Sequence, residues 1–329
     1  MLTGIVLALL VWLFSGWRDP LSSADSRLAS APVPKRVAQA SSLSRNSQDG
    51  CATENSQDGC ATEPFGGSLL DLSAACRERA DWAARQLGPS GSVIVREPFV
   101  LAGDLSSQQL DRLHRETIGP VAQAIVAGYL AALPSRPVTL LLFSDERSYR
   151  ESLRNLFGDS KPSHFGSYRP HLRVVTLNLS TGKGTVAHEL THALVHGDFP
   201  AIPDWLNEGL ASLHEEYRVV GDGLRLEGLV NWRLPILQAA IRENRLRSLE
   251  SLLSSDDFHG SQERLNYAQA RYFCFYLQRQ GLLQRYYRRL RADIGHDPTG
   301  LATLLDMFPG RSIEQLDAEF RGWATQLKP

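Results

Sequence analysis

The stretch TVAHELTHALV, residues 185–195, decides the fold and the chemistry predicted for this chain. It contains the pattern H-E-x-x-H, in which His188 and His192 are four positions apart. Side chains at positions i and i+4 share one helix face, so both imidazoles can bind one metal ion. Glu189 projects beside them and can take a proton from water on that metal. The pattern is typical of zinc, which lowers the pKa of bound water towards about 7.

A third metal ligand is predicted in the segment WLNEGLA, residues 205–211, which opens the next helix. Catalytic zinc typically takes two histidines and one carboxylate and leaves a fourth position to water. Glu208 meets this requirement. It follows His192 by 16 residues (208 − 192), which leaves room for the first helix to end at Gly197, for a loop, and for a second helix to pass behind the metal.

His196 shares the helix face of His188 and His192 but is not predicted to be a ligand. Eight residues of helix place it about 12 Å from His188, whereas zinc–nitrogen bonds are about 2.0–2.1 Å long. At the end of the helix an imidazolium would meet the favourable end of the helix dipole. The metzincin pattern also fails, because Val195 and Asp198 occupy its glycine and third histidine positions.

Other polar residues near the motif are candidates for supporting roles at the metal site. The sequence does not single out the side chains that orient the two zinc-binding histidines, for which Asp204 and Asn207 are candidates. His164 and His171 either face the cleft expected between the two predicted lobes or lie on the surface. Surface positions are the more common for histidine.

The two segments together resemble the gluzincin clan of zinc metallopeptidases, and most closely the peptidase MA-like metallohydrolases. The resemblance covers residues 171–217 and the flanks only in layout. It implies a zincin-like fold, with His188, His192 and Glu208 as zinc ligands and Glu189 as general base and acid. It also implies a peptide or protein substrate and Zn2+ as the cofactor.

The same resemblance implies a tyrosine or histidine, well downstream of the third ligand, that donates a hydrogen bond to the oxyanion of the intermediate. Tyr267, 59 residues after Glu208 (267 − 208), is the first candidate and His259 the second. Both also suit a core or surface role, because aromatic residues are abundant around Tyr267. The strand around Val174–Leu179 is expected to be the edge on which a peptide lies by strand addition.

Methionine usage separates the branches of the clan. Aminopeptidase N-like members carry a G-x-M-E-N motif before the zinc helix, which holds the free amino terminus of the substrate. Met1 and Met307 are the two methionines of this chain, so it lacks that motif. An endopeptidase, or a hydrolase of a different substrate class, is therefore predicted. The alternative is an inactive envelope binding or scaffold protein that keeps zinc for stability.

The hydrophobic periodicity predicts an α+β fold with two lobes. A mixed sheet and helix lobe, residues 68–198, carries the zinc helix, and a mainly helical lobe, residues 199–329, carries the third ligand. The predicted strands are 93–100, 137–143 and 173–179, with a hairpin at 217–230, and the predicted helices are 69–87, 105–133, 145–157, 184–197, 204–216, 234–244, 265–280, 282–291 and 313–326.

The N-terminal region predicts export. Residues 2–17 are an uncharged apolar run that suits a signal peptide or a short membrane anchor. Residues 18–67 are predicted to form a disordered linker, and within it the nonapeptide NSQDGCATE occurs twice in tandem. The mature protein is therefore expected in the periplasm, outside the cell, or tethered to the membrane.

The charge balance and the cysteine content give two further expectations. The chain of 329 residues has 35 basic and 36 acidic side chains, so nothing in its charge balance favours a nucleic-acid partner. Its four cysteines form no C-x-x-C pair. In an exported protein, Cys51 or Cys60 is expected to pair with Cys76, and Cys274 is expected to be a buried thiol.

Overall fold

A five-stranded mixed sheet, a two-stranded hairpin and twelve helices make up residues 71–328, the part of the chain that the computed structural model describes. The predicted α+β class is confirmed. The order of the large sheet is β1-β2-β3-β5-β4, in which β2, β3 and β5 are parallel and the two outer strands are antiparallel to their neighbours. The strands are β1 (Ser92–Arg96), β2 (Phe99–Gly103), β3 (Val138–Phe143), β4 (Gly166–Arg169), β5 (Val174–Asn178), β6 (Tyr217–Val220) and β7 (Arg225–Gly228).

The helices that alternate with the strands pack against the sheet, and the remaining helices form most of the C-terminal half. Helix α5 carries the H-E-x-x-H motif, and α6 carries the predicted third ligand. The helices are α1 (Leu72–Leu87), α2 (Ser107–Leu113), α3 (Gly119–Gly128), α4 (Glu146–Phe157), α5 (Lys183–Asp198), α6 (Asp204–Leu213), α7 (Leu234–Arg242), α8 (Leu249–Ser254), α9 (Glu263–Arg279), α10 (Leu283–Asp293), α11 (Leu301–Met307) and α12 (Ile313–Gln326).

The three central strands are buried on both faces, which explains their nearly continuous apolar sequences. Alternate side chains of β3 point to opposite faces. Leu140 and Leu142 join the core that contains α3 and α5, whereas Leu141 and Phe143 join the core beneath α1 and α4. The first of these cores continues through α6 and α9 to α12. The predicted division into lobes at residue 198 stays a prediction.

Several N-terminal predictions concern residues outside the described range, namely the apolar segment 2–17, the linker 18–67, Cys51 and Cys60. In residues 71–328, no helix has both the length and the apolar character needed to cross a membrane. Cys76 and Cys274 are buried free thiols. Cys274 thus has the predicted environment, and the partner expected for Cys76 lies outside the described residues.

Two of the predicted elements before residue 135 are wrong in extent. The strand predicted at 93–100 is a hairpin, because Pro98 has no amide hydrogen to donate to a ladder, and the chain turns there between β1 and β2. The single helix predicted at 105–133 contains a wider π-helical turn at His114–Ile118 and ends at Gly128. Pro120 follows that turn and also lacks an amide hydrogen for a regular helical bond.

The predicted edge strand is also corrected. Strand β5 is internal, because β3 pairs with one side of it and β4 with the other. The edge next to α5 is β4, a short strand that the sequence reading missed. Gly166 begins β4, and a Cβ atom at this position would lie 3.0 Å from Cγ of Glu189. A glycine here lets the edge strand pass directly over the motif.

Helices α6 and α9 pack with their backbones in close approach. Gly209 of α6 makes this possible, because a Cβ atom there would lie 2.8 Å from the carbonyl oxygen of Ala270 and 2.8 Å from Sγ of Cys274. Glu208, the predicted third ligand, precedes this glycine, and Tyr267 lies one turn before Ala270 on α9. The close approach therefore sets the distance between Glu208 and Tyr267.

We expect Gly209→Ala to destabilise the protein by about 1–3 kcal/mol, because the added methyl group overpacks a rigid contact. This cost should outweigh the gain of about 1 kcal/mol in helix propensity. Gly322→Ala is the matched control, since Gly322 is an exposed helical glycine with no atom near its Cβ position. Chemical denaturation should show that Gly322→Ala raises the free energy of unfolding. A Gly209→Ala protein as stable as the parent would contradict the role given to this glycine.

Candidate metal centre

Helices α5 and α6 bring the three predicted ligands together. Nε2 of His188 lies 3.1 Å from Nε2 of His192. Oε2 of Glu208 lies 3.4 Å from Nε2 of His192 and 3.7 Å from Nε2 of His188. The three side chains form a group that could hold a metal ion.

The donor atoms fit a metal in both spacing and chemistry. Bonds of about 2.0–2.1 Å in a tetrahedral site place ligand atoms about 3.3 Å apart, close to the three distances observed. Oε2 of Glu208 is buried and has no hydrogen-bond partner. A carboxylate oxygen and two imidazole nitrogens that converge in a buried space repel one another unless a cation lies between them.

Asn207 orients His192. Its Oδ1 atom lies 3.0 Å from Nδ1 of His192 and accepts a hydrogen bond there, so the Nε2 lone pair points towards the other ligands. Of the two candidates from the sequence, Asn207 is therefore the one that contacts a ligand. Asp204, the other candidate, is exposed in the first turn of α6.

Glu215 lies against His188, and the sequence reading missed it. Its Oε1 atom lies 3.4 Å from Nδ1 of His188, on the side of the ring away from the metal ligands. Arg233 holds the same carboxylate through two contacts, Nη2 to Oε1 at 2.7 Å and Nε to Oε2 at 3.1 Å. Burial raises the pKa of Glu215, but His188 and Arg233 outweigh this effect and lower it to about 2. Glu215 follows the end of α6 at Leu213, where the sequence predicted that the helix would continue.

The charges of the ligands are coupled. Burial lowers the pKa of His192, but the neighbouring Glu208 carboxylate, together with Glu189 and Asn207, outweighs burial and raises the pKa of His192 to about 9. Burial raises the pKa of Glu208, and His192 and His188 reverse this shift to about 2. Both shifts show that the centre favours added positive charge.

Glu189 is buried, with 7% of its surface exposed, and lies between α5 and the edge strand β4. Burial raises the pKa of its carboxyl group, and the nearby imidazoles of His188 and His192 oppose this shift. A carboxylate with a raised pKa is a stronger base than one in water. Glu189 is not among the three converging ligands, as the motif predicts.

Tyr267 lies beside Glu208, as expected for a residue of the site. Burial raises the pKa of its phenol, and the negative charge of the nearby Glu208 carboxylate raises it further, so Tyr267 stays protonated. His259, the second candidate, is half exposed and lies 3.2 Å from Oε1 of Glu263 on its own segment. Its ring centre is 6.1 Å from that of Tyr267. Of the two, Tyr267 is the one whose pKa is shifted by the charge of a predicted ligand, Glu208.

The remaining histidines of the sequence analysis lie away from the ligands. His164 is 49% exposed and contacts Glu146 at 3.1 Å, and His171 is exposed. His196 packs against the ring of Tyr168. Burial and the neighbouring Arg173 lower the pKa of His196, so the imidazolium expected at the helix end is disfavoured.

The buried imidazole of His214, at the C-terminal end of α6, is hydrogen-bonded to Thr191 in the middle of α5. The hydroxyl group of Thr191 donates to the carbonyl oxygen of Ala187 at 2.6 Å, so its oxygen accepts a hydrogen bond from Nδ1 of His214 at 2.9 Å. His214 is completely buried. Burial, then the charge of Arg271, lowers its pKa to about 3. His214 therefore supports α5 as a neutral imidazole.

No protein-family model matches this chain, and no curated protein matches it.

We expect Glu215→Gln to weaken metal binding, measured with zinc, by about 10–100-fold, because the variant removes the negative charge that orients and polarises His188. Competition with a chromophoric chelator measures this affinity. Glu216→Gln is the matched control, since Glu216 is the adjacent carboxylate and is exposed. Circular dichroism should show both variants folded. Equal zinc affinity in a folded Glu215→Gln protein would contradict the orienting role.

His214 should make stability depend on pH. Its pKa is about 3 in the folded chain and about 6.5 in the unfolded chain. The unfolded state therefore binds the extra proton between these values, and stability falls as the pH drops below about 6.5. We expect the loss between pH 7 and pH 5 to be about 2 kcal/mol smaller in His214→Gln than in the parent.

This comparison should be made by denaturation in chelator, so that metal release does not contribute. His296→Gln serves as the control, because His296 is exposed on the surface. The assignment fails if His214→Gln and His296→Gln have the same pH dependence as the parent.

Proposed function

We propose that this chain is an exported zinc metallopeptidase that cleaves within peptide chains. The observation that carries the proposal is the convergence of His188, His192 and Glu208 beside the buried carboxylate of Glu189. Two imidazoles and one carboxylate form a donor set typical of catalytic zinc, whereas magnesium and calcium prefer oxygen ligands alone. The resemblance to the peptidase MA-like gluzincins, and with it a zincin-like fold, agrees with this donor set.

The chemistry divides between the metal and the protein. A zinc ion in this site would supply a Lewis acid that makes water nucleophilic at neutral pH. Glu189 takes a proton from the attacking water on its carboxylate and then donates it to the departing amine. Its buried position and raised pKa suit both steps, because a base works best when its pKa lies near the working pH.

Tyr267 is proposed to stabilise the oxyanion. Its phenol stays protonated, so it can donate a hydrogen bond to a carbonyl oxygen as negative charge develops there. The ring is held in place on one side by the guanidinium group of Arg233, 5.2 Å from the ring centre. Phe258 packs against the same ring. A donor held in this way needs little rearrangement during the reaction.

Strand β4 is proposed to bind the substrate backbone. Within residues 71–328 it pairs with β5 alone, so its outer edge has unpaired backbone groups. A peptide could add to this edge as a further strand. Gly166 brings the edge over Glu189, which would place a bound peptide bond close to the general base.

Cleavage within chains is favoured over removal of the first residue. An aminopeptidase needs a carboxylate that is free to bind the amino terminus of its substrate. At this centre Glu208 is a proposed ligand, Glu189 is the proposed base, and Arg233 and His188 neutralise Glu215. The absence of the G-x-M-E-N motif agrees with this assignment. Export is proposed from residues 2–17, through a signal peptide or a membrane anchor.

The decisive experiment compares the zinc-loaded parent with Glu189→Gln on a peptide library. We expect one zinc per chain in both proteins and a rate lower by about 10²–10⁴-fold in the variant, which has lost its general base. Chelator should abolish cleavage by the parent. Glu250→Gln, a change at an exposed carboxylate on α8, is the control.

Three results would count against the proposal. A Glu189→Gln protein with zinc and the full rate would exclude the proposed mechanism. Zinc binding without chelator-sensitive cleavage by the parent would favour the alternative, an inactive scaffold stabilised by zinc. A parent protein without zinc affinity in equilibrium dialysis would show that the motif arose by chance.

Tyr267→Phe tests the oxyanion donor, because it removes one hydroxyl group and keeps the ring. We expect kcat to fall by about 10²–10³-fold with zinc affinity retained. His259→Ala should leave kcat near the parent value, since His259 is exposed and paired with Glu263. The opposite pattern would transfer the role to His259.

A further inference from the structure

Trp232 is exposed and is linked to the candidate metal centre through the side chain of Arg233. Its exposed fraction of 58% exceeds that of every other large hydrophobic side chain in residues 71–328. Exposing an indole forgoes hydrophobic stabilisation of roughly 25 cal/mol for each Å² of apolar surface left in water. Single exposed apolar residues are common on protein surfaces, so the significance of this indole depends on its neighbours.

A chain of three contacts joins Trp232 to the metal ligands. The guanidinium carbon of Arg233 lies 4.3 Å from the centre of the indole ring. Nη2 of Arg233 contacts Oε1 of Glu215 at 2.7 Å, and this oxygen lies 3.4 Å from Nδ1 of His188. Arg233 also lies over the ring of Tyr267. The indole therefore packs on Arg233, whose guanidinium group also contacts Glu215 and the ring of Tyr267.

The backbone that presents Trp232 is fixed by hydrogen bonds on its N-terminal side. The amide of Asn231 donates to the hydroxyl of Tyr272 at 3.1 Å, and that hydroxyl donates to the carbonyl oxygen of Asn231 at 3.2 Å. The side chain of Asn231 donates to Glu215 at 3.1 Å and accepts from the amide of Arg233 at 3.0 Å. An exposed aromatic ring on a rigid turn can bind a ligand with little loss of entropy.

We infer that Trp232 contacts the substrate and sets a preference for peptides with a bulky apolar side chain next to the scissile bond. The inference rests on the proposed peptidase function and names the class of its substrates. An apolar side chain that packs on the indole removes both surfaces from water. The positive charge nearest the ring, on Arg233, is already paired with Glu215, so the contact offers no free charge to an acidic side chain.

The test starts from a peptide that the zinc-loaded parent cleaves in a library screen. The residues flanking the scissile bond are replaced in turn by Ala, Leu and Phe, and kcat/KM is measured for each peptide. We expect the parent to prefer Leu or Phe over Ala on one side of the bond, and Trp232→Ala to reduce that ratio by about tenfold or more. Trp232→Phe should keep most of the preference.

Leu224→Ser is the matched control, because Leu224 is 50% exposed in the turn of the β6–β7 hairpin. It should leave the ratio unchanged. Zinc content, measured for every variant, should equal that of the parent, which shows that the Arg233–Glu215–His188 contacts persist. The same peptides, labelled and bound to zinc-loaded Glu189→Gln protein, should show the same loss of preference in their dissociation constants when Trp232→Ala is added.

The outcomes separate this inference from the proposed function. A parent protein that cleaves no peptide overturns both. Cleavage by the parent with the same ratio in Trp232→Ala overturns the inference alone. A dimer of the parent in sedimentation that Trp232→Ala converts to monomer also overturns it, because the indole would then cover a second copy of this chain.

Discussion

Three electron-pair donors meet in a buried space, and much of the surrounding structure serves to hold them there. Nε2 of His188, Nε2 of His192 and Oε2 of Glu208 lie 3.1–3.7 Å from one another. Without a cation between them, this arrangement is unfavourable. The protein supports it with a carboxylate behind His188 and an amide behind His192, and both outer partners leave the Nε2 lone pairs directed inwards.

The fold brings these donors together through two close approaches of backbone. On one side, Gly166 lets the edge strand β4 run over Glu189, so a substrate strand would lie against the general base. On the other side, Gly209 lets α6 and α9 approach until Glu208 meets Tyr267. A side chain larger than hydrogen at either position would separate the elements that carry the site. The geometry of the candidate site therefore requires both glycines as well as the motif.

In the proposed peptidase, two parts of the chain would contact the substrate, and they differ in chemistry. The β4 edge offers backbone donors and acceptors that are indifferent to the side chains of a bound peptide. The turn at 231–233 offers an indole, which distinguishes side chains by size and polarity. Arg233 connects this turn to the centre, since it packs on Trp232 and Tyr267 and neutralises Glu215. In the proposed peptidase, affinity for an extended chain and preference for particular side chains would therefore have separate origins.

The sequence by itself determined the α+β class, most of the long helices, and the converging set of His188, His192 and Glu208 beside Glu189. These follow from local rules, namely helical spacing and hydrophobic periodicity, together with the requirements of a zinc ligand set. Only the tertiary structure decided which strand forms the edge, which of Tyr267 and His259 lies beside a ligand, and that Glu215, His214 and Trp232 surround the centre. The elements β4, α8 and α11, of 4, 6 and 7 residues, are too short to produce a clear periodic signal. Glu215 is 27 residues from His188 in the chain (215 − 188), and only the packing of α6 against α5 makes them neighbours.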